Sequence, residues 1–342
     1  MKKIKRGFFI IFCAVVVFAL YNYKMTFYLL SQLKGQLTLV YKSESIDEAI
    51  ASKKYDSLQT QKLKLIKTIK QFAEDSLGLS KTNNYSTIYN QHNRQTMFVV
   101  TGCMPFEFTE YKWTFPMIGE VTYKGFFDSV AANNEMFALQ QQGYETNIGN
   151  ASGWSTLGWL RDPVLSTMLN KSEGALAELI IHELTHATIY QSSSMVYNEN
   201  LATFVGENGA LKFLIAHYGD TNVYIDRYRN RLSDELLYNN HIQNGRLQLQ
   251  SLYLQLKNEK DITLKIKKKT DLINSIMTSI DTLTLKNKLR YTWDYKTDSL
   301  PNNTFFMSTD TYNSMQNIFM AEFKNKYAND LRKFIEGHTD EK

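Results

Sequence analysis

Two histidines four residues apart with a glutamate beside the first, His182-Glu183-Leu184-Thr185-His186, are the stretch of this chain best suited to do chemistry. Apolar residues recur at helical spacing from Leu176 to Ile189, with no Pro and no internal Gly after Gly174, which predicts an amphipathic helix. Residues four apart share a helix face, so the two imidazoles converge on one point. Neutral imidazoles so placed form half of a zinc site. Glu183 is rotated off that axis, near enough to take a proton from a water activated there. H-E-x-x-H on a helix therefore points to hydrolysis with Glu183 as general base.

A catalytic zinc needs a third protein ligand and an open position. Glu199 is the next carboxylate along the chain, after a polar turn, Gln191-Ser192-Ser193-Ser194, that lets the chain double back. It precedes a second apolar-periodic stretch, Leu201 to Leu214, which places it in the first turn of a second helix with Asn198 as N-cap. Asn198-Glu199-x-x-Ala202 matches the third-ligand motif of the gluzincin metallopeptidases, although the twelve residues between His186 and Glu199 make a shorter gap than most of that clan shows. Glu178, one turn before His182, and Asn198 are candidates to orient the ligands. Glu207, two turns beyond Glu199, is a further carboxylate that can face the site.

The elements around this pair follow from pattern. Residues 30–95 read as helical, with a start at Ser45 or Asp47. From Gln95 to Phe127 the sequence turns to Val, Phe, Tyr, Thr and Trp broken by Gly and Pro, which predicts two or three strands, Val121 to Phe127 among them. A helix over Phe127 to Gln142, a strand over Tyr144 to Ile148 and a Gly/Ser/Trp loop to Trp159 follow. An edge strand beside the H-E-x-x-H helix would receive a substrate backbone by β-augmentation. Beyond residue 219 two long helices, 222–257 and 262–290, predict a helical hairpin with a break at Asn244-Gly245. A closing helix from Tyr312 to Phe334 follows the turn at Pro301. The expected fold is α+β and mainly helical: an N-terminal segment, 1–29, then one zincin-like catalytic domain, 30–342.

Bulk composition narrows the classes. A 43% hydrophobic and 13% aromatic chain has ample material for a core and is not globally disordered. The net charge of +5 is interspersed, without a basic stripe among aromatics, so nucleic acid is not an expected partner. Two cysteines, one of them Cys13 in the N-terminal apolar run, leave no disulfide framework and no Cys-x-x-Cys site. Lys2, Lys3, Lys5 and Arg6 precede an apolar run from Gly7 to Tyr21. Its basic flank predicts an uncleaved signal anchor, or else a cleaved signal peptide, with the rest of the chain outside the cytoplasmic membrane.

With those segments in place, the chain resembles a bacterial family of predicted zinc aminopeptidases. The likeness runs from Lys34-Gly35-Gln36-Leu37 through Phe115-Pro116-Met117-Ile118-Gly119 and Val121-Thr122-Tyr123-Lys124-Gly125-Phe126-Phe127. It continues through Ser155-Thr156-Leu157-Gly158-Trp159 and Asp162-Pro163 to the two ligand motifs, then Asn302-Asn303 and Tyr312. Where the family usually has Asp-Asp before the Pro, this chain has Arg161-Asp162. The resemblance implies a peptide substrate, a zinc cofactor and a donor to the tetrahedral oxyanion, for which Tyr312 stands first, with Tyr228 and His217 behind it. Tyr123, Trp159 and Asp162 are candidate substrate contacts, joined by Trp154. A free substrate amine would call for a carboxylate, which Glu120, Asp162 or Glu207 could supply. The rival readings are a membrane-anchored zinc-binding protein without turnover and a zinc endopeptidase.

Overall fold

The computed structural model describes residues 21–115, 119–150, 161–191, 194–293 and 299–339. Helix α1, Tyr23–Tyr41, opens the described chain, followed by β1, Glu44–Ser45, and a short α2, Ile46–Ala51. Ser45 caps α2 through a reciprocal capping box with Glu48. Asp56 and Gln59 do the same for α3, Ser57–Asp75. The expected helix then gives way. Gly78 and Tyr85 take positive φ, and Thr87–Tyr89 forms β2 instead. Beyond it lie β3, Phe98–Cys103; β4, Trp113–Phe115; β5, Gly119–Val121; and β6, Tyr123–Phe126. Helix α4, Ser129–Gln141, is capped by Asp128, and β7, Glu145–Asn150, closes this region. The fold is thus mainly helical α+β.

The strands form three small sheets rather than one. β3 is the centre of a sheet in the order β6-β3-β7, antiparallel throughout, with Thr101 opposite Tyr123 and Phe98 opposite Phe126. Among the described residues β6 has no strand on its other side, so it is an edge. β2 sits between β1 and β8, Val164–Leu165, and β4 pairs with β5.

Helix α5, Glu173–Thr188, carries both histidines, and α6, Met195–Tyr218, carries Glu199. α6 begins four residues earlier than the sequence suggests. Ser194, whose side chain accepts from the Tyr197 amide, is its N-cap, so Glu199 is its fifth residue and Asn198 is no cap. The two helices pack closely because Gly206 has no side chain. A Cβ there would lie 3.0 Å from the Glu178 carbonyl oxygen and 3.2 Å from the His182 Cβ. Leu176, Ala177, Ile180, Ile181 and Leu184 of α5 meet Leu201, Phe204, Val205 and Phe213 of α6 in the largest core, all at 0–1% exposure. Lys62 of α3 fastens the start of α5, donating to the Lys171 carbonyl and the Glu173 carboxylate, each at 2.8 Å.

The hairpin is α7, Val223–Gln255, and α8, Ile262–Thr278. α7 runs unbroken through Asn244-Gly245, because that glycine serves packing rather than a kink: a Cβ on it would come within 2.6 Å of Ile276. α8 stops well before 290, where short 3-10 turns take over. The single closing helix is instead three, α9, Asn303–Asn313; α10, Gln316–Asn325; and α11, Leu331–Thr339. Positive φ at Ala328 and Asn329 separates the last two. No helix of the described residues is long and apolar enough to cross a membrane; the apolar run of the expected anchor, residues 7–21, lies outside them but for its last residue, as does most of the Gly/Ser/Trp loop.

The contact at Gly206 gives a direct test. Gly206→Ala should destabilise the protein by about 1–3 kcal/mol through overpacking, seen as a lower unfolding temperature, whereas an unchanged temperature would mean the helices are free to separate.

Candidate metal centre

The α5–α6 pairing brings His182, His186 and Glu199 together, with ligand atoms all within 4.8 Å of one another. The two imidazole Nε2 atoms lie 3.2 Å apart, with their rings nearly perpendicular. Each is 3.5 Å from a Glu199 carboxylate oxygen, Oε2 for His182 and Oε1 for His186. Ligands held at roughly 2.05 Å around a tetrahedral zinc would be about 3.3 Å apart. The donor types and the triangle therefore suit a metal ion of that size.

Asn198 positions the third donor by closing the turn rather than capping the helix. Its side chain accepts from the Gln191 amide at 2.9 Å and donates to the Gln191 carbonyl at 2.7 Å. Those two bonds satisfy the backbone where α5 hands over to the turn, and they fix the rotation of α6 one residue before Glu199. The side chain is 3% exposed, so water does not compete for them.

Glu183 is buried beside the triangle. Burial is the main cause pushing its carboxyl up to about 7; His182 opposes this, and the charges of Glu199 and Asp162 add to it. For His182 burial disfavours the cation, but the hydrogen-bonding carboxylate of Glu199, with Glu183 and Glu178, outweighs it and raises the pKa. His186 is held down to about 4, chiefly by burial and then by the His182 charge. Burial works against ionisation of Glu199, yet the two histidines lower its pKa.

The other predicted residues divide. Tyr123, at the start of the edge strand β6, is 42% exposed, and the charges of Glu199, Tyr190 and Glu183 act on its hydroxyl. Together with burial, which contributes most, they push it up to about 12, so it stays a proton donor. Tyr190, four residues after His186 and 40% exposed, joins it at the site. No sequence spacing marks Tyr190, because α5 ends at Thr188 and Ile189 is already extended. Asp162 is fully buried: it accepts from the Asn84 amide nitrogen at 3.2 Å, and its own amide donates to Asn84 Oδ1 at 3.1 Å. It acts on Glu183 from inside the protein and presents no surface to a substrate.

Glu178 accepts from the Tyr228 hydroxyl at 2.6 Å and from Arg231, which also forks onto Glu235. This network from α7 holds Glu178 near His182 and gives Tyr228, 2% exposed, an anchoring role. His217 stacks on Phe213 eighteen residues beyond Glu199, about 27 Å along α6, so the fold does not bring it to the site. Glu120 is exposed and paired with Lys112 at 3.0 Å. Tyr312 stands in the last turn of α9, a helix packed on α6, and its side chain lies outside the described residues. Trp154 and Trp159 lie outside them too.

Residues 27–340 match the model of a protein family described as "Putative aminopeptidase". No curated protein and no solved structure matches the chain.

Glu207 supplies the test of this electrostatic picture. Burial first, then the like charges of Glu178 and Glu235, push its carboxyl up to about 8. A carboxyl whose folded pKa lies above its unfolded value of 4.5 destabilises the fold progressively between those two pH values, and fully above the higher. Glu207→Gln should therefore leave stability little changed at pH 4.5 and raise it by roughly 1–3 kcal/mol at pH 8.5. Thermal unfolding at the two pH values reads this, and equal gains at both would contradict it.

Proposed function

The chain belongs to that aminopeptidase family, and from this premise we propose that it is a zinc-dependent peptidase of the gluzincin type. His182, His186 and Glu199 are the ligands in this reading, and Glu183 is the general base. One observation carries it: three donors of the right kinds form a triangle of 3.2 to 3.5 Å edges, with a buried carboxylate next in sequence to one of them. When bound, zinc supplies a Lewis acid and brings the pKa of a water near 7.

Glu183 takes the proton from the attacking water and delivers it to the departing amine. Burial suits it to both halves of that task, because a desolvated carboxylate holds a proton more tightly than a surface one. Asp162, fixed by Asn84, adds to this by repelling a second negative charge. Glu178, held by Tyr228 and Arg231, is the proposed partner that orients the His182 ring. The Tyr123 end of the edge strand β6, clear of the α1 contact at Gly125, offers backbone groups to an extended peptide, with Tyr123 and Tyr190 there to contact its side chains. Tyr312 is the proposed donor to the developing oxyanion. The basic flank of the N-terminal apolar run supports a catalytic domain held outside the cytoplasmic membrane.

Glu183→Gln separates an enzyme from a zinc-binding protein without turnover. The amide keeps size and polarity, so metal content should be unchanged. Hydrolysis of short peptides and aminoacyl reporter amides should fall about 10²–10⁴-fold. Equal cleavage by wild type and variant would refute the mechanism. A metal-loaded wild type inert toward a broad peptide library would leave the binding-protein reading in its place. Mass spectrometry of the products distinguishes removal of single N-terminal residues from internal cleavage.

A further inference from the structure

Helix α1 has two faces, and only one is used by the fold. On the inner face the Tyr28 ring lies 5.6 Å from that of Phe115 and 5.5 Å from that of Phe126. Its hydroxyl donates to the Gly125 carbonyl of β6 at 3.0 Å. Leu39 and Gln36 are buried further along. The outer face carries Tyr23, Phe27, Leu30, Lys34, Leu37 and Tyr41, a spacing of four, three, four, three and four that puts all six on one stripe. Its apolar members are exposed, Phe27 at 71%, Leu30 at 57% and Tyr41 at 81%. Leu30, Leu33, Leu37 and Tyr41 line a shallow groove there with Lys34 and Lys42.

Two features of the chain say what covers this face. The first is continuity: the uncharged run from Gly7 to Tyr21 ends two residues before α1 begins. That run is shorter than the roughly 20 apolar residues a membrane span needs, so more apolar contact is needed directly after it. The second is charge. α1 has Lys24 and Lys34 and no acidic residue, and Lys42 follows it. That pattern suits an anionic lipid surface, into which tyrosines and phenylalanine settle at headgroup level while lysine heads reach outward. A second copy fits worse, since a parallel pairing on this seam sets Lys34 against Lys34 with no acid on the helix to answer it.

We propose that the outer face of α1 lies in the headgroup region of a phospholipid bilayer, as a surface-bound continuation of the N-terminal apolar run. Because the inner face grips β6 through Gly125, that strand is then held about one helix diameter, 10–12 Å, above the lipid.

The test uses the full chain carrying Cys13→Ser, in nanodiscs of phosphatidylcholine and phosphatidylglycerol. Single substitutions Phe27→Cys, Leu30→Cys and Leu37→Cys, with Leu58→Cys on α3 as a water-exposed control, are spin-labelled. Collision with oxygen, which concentrates in lipid, is compared with collision with a nickel chelate, which stays in water. The oxygen-to-nickel ratio should be several-fold higher at all three α1 sites than at residue 58. A ratio equal to the control overturns the proposal by placing the face in water. Protection from both reagents overturns it equally, by placing protein there, whether a second copy or residues 1–20.

Discussion

Everything at the centre depends on how closely α5 and α6 can approach. The histidines converge by helical spacing alone, but Glu199 reaches them only because a second helix lies flat against the first. Gly206 permits the approach, and a layer of aliphatic and aromatic side chains at near-zero exposure enforces it. Asn198 then sets the rotation through its paired hydrogen bonds to Gln191. A slip of one residue in α6 would turn Glu199 by about 100° away from the imidazoles, since 3.6 residues make a turn. The three-donor triangle is thus a property of core packing and one closed turn.

That packing also imposes an electrostatic demand. Glu183, Glu199, Glu178, Glu207 and Asp162 all act on one another or on His182. Arg231 answers Glu178 and Glu235, but no Lys or Arg of the described residues is ion-paired with Glu183 or Glu199. Burial first, and the neighbouring carboxylates after it, push the carboxyls of Glu183 and Glu207 upward. A divalent cation at the triangle would answer this demand for Glu199 and Glu183 together.

Much of the site was legible in the sequence because helical periodicity is a local property. His182, Glu183 and His186 followed from helical spacing, and Glu199 from the polar turn before it and the Asn198-Glu199-x-x-Ala202 pattern. What failed was decided by distant contacts. Asn198 has the composition of a cap, yet its partner is a backbone group across the turn. Asn244-Gly245 has the composition of a break, yet the glycine makes room for Ile276 of the next helix. Thr87–Tyr89 became a strand because Val164 and Glu44 were there to pair with it. Asp162 was read as a substrate contact because the sequence gives no sign that Asn84 will bury it.

The central claim is that two imidazoles and the Glu199 carboxylate hold one zinc. X-ray absorption at the zinc edge, on the purified full chain, tests it most directly. The account predicts about one zinc per chain, bound by two imidazole nitrogens and oxygen at roughly 2.0–2.2 Å, with occupancy falling sharply in Glu199→Ala. Full occupancy and an unchanged spectrum in Glu199→Ala, or in His182→Ala, would contradict it.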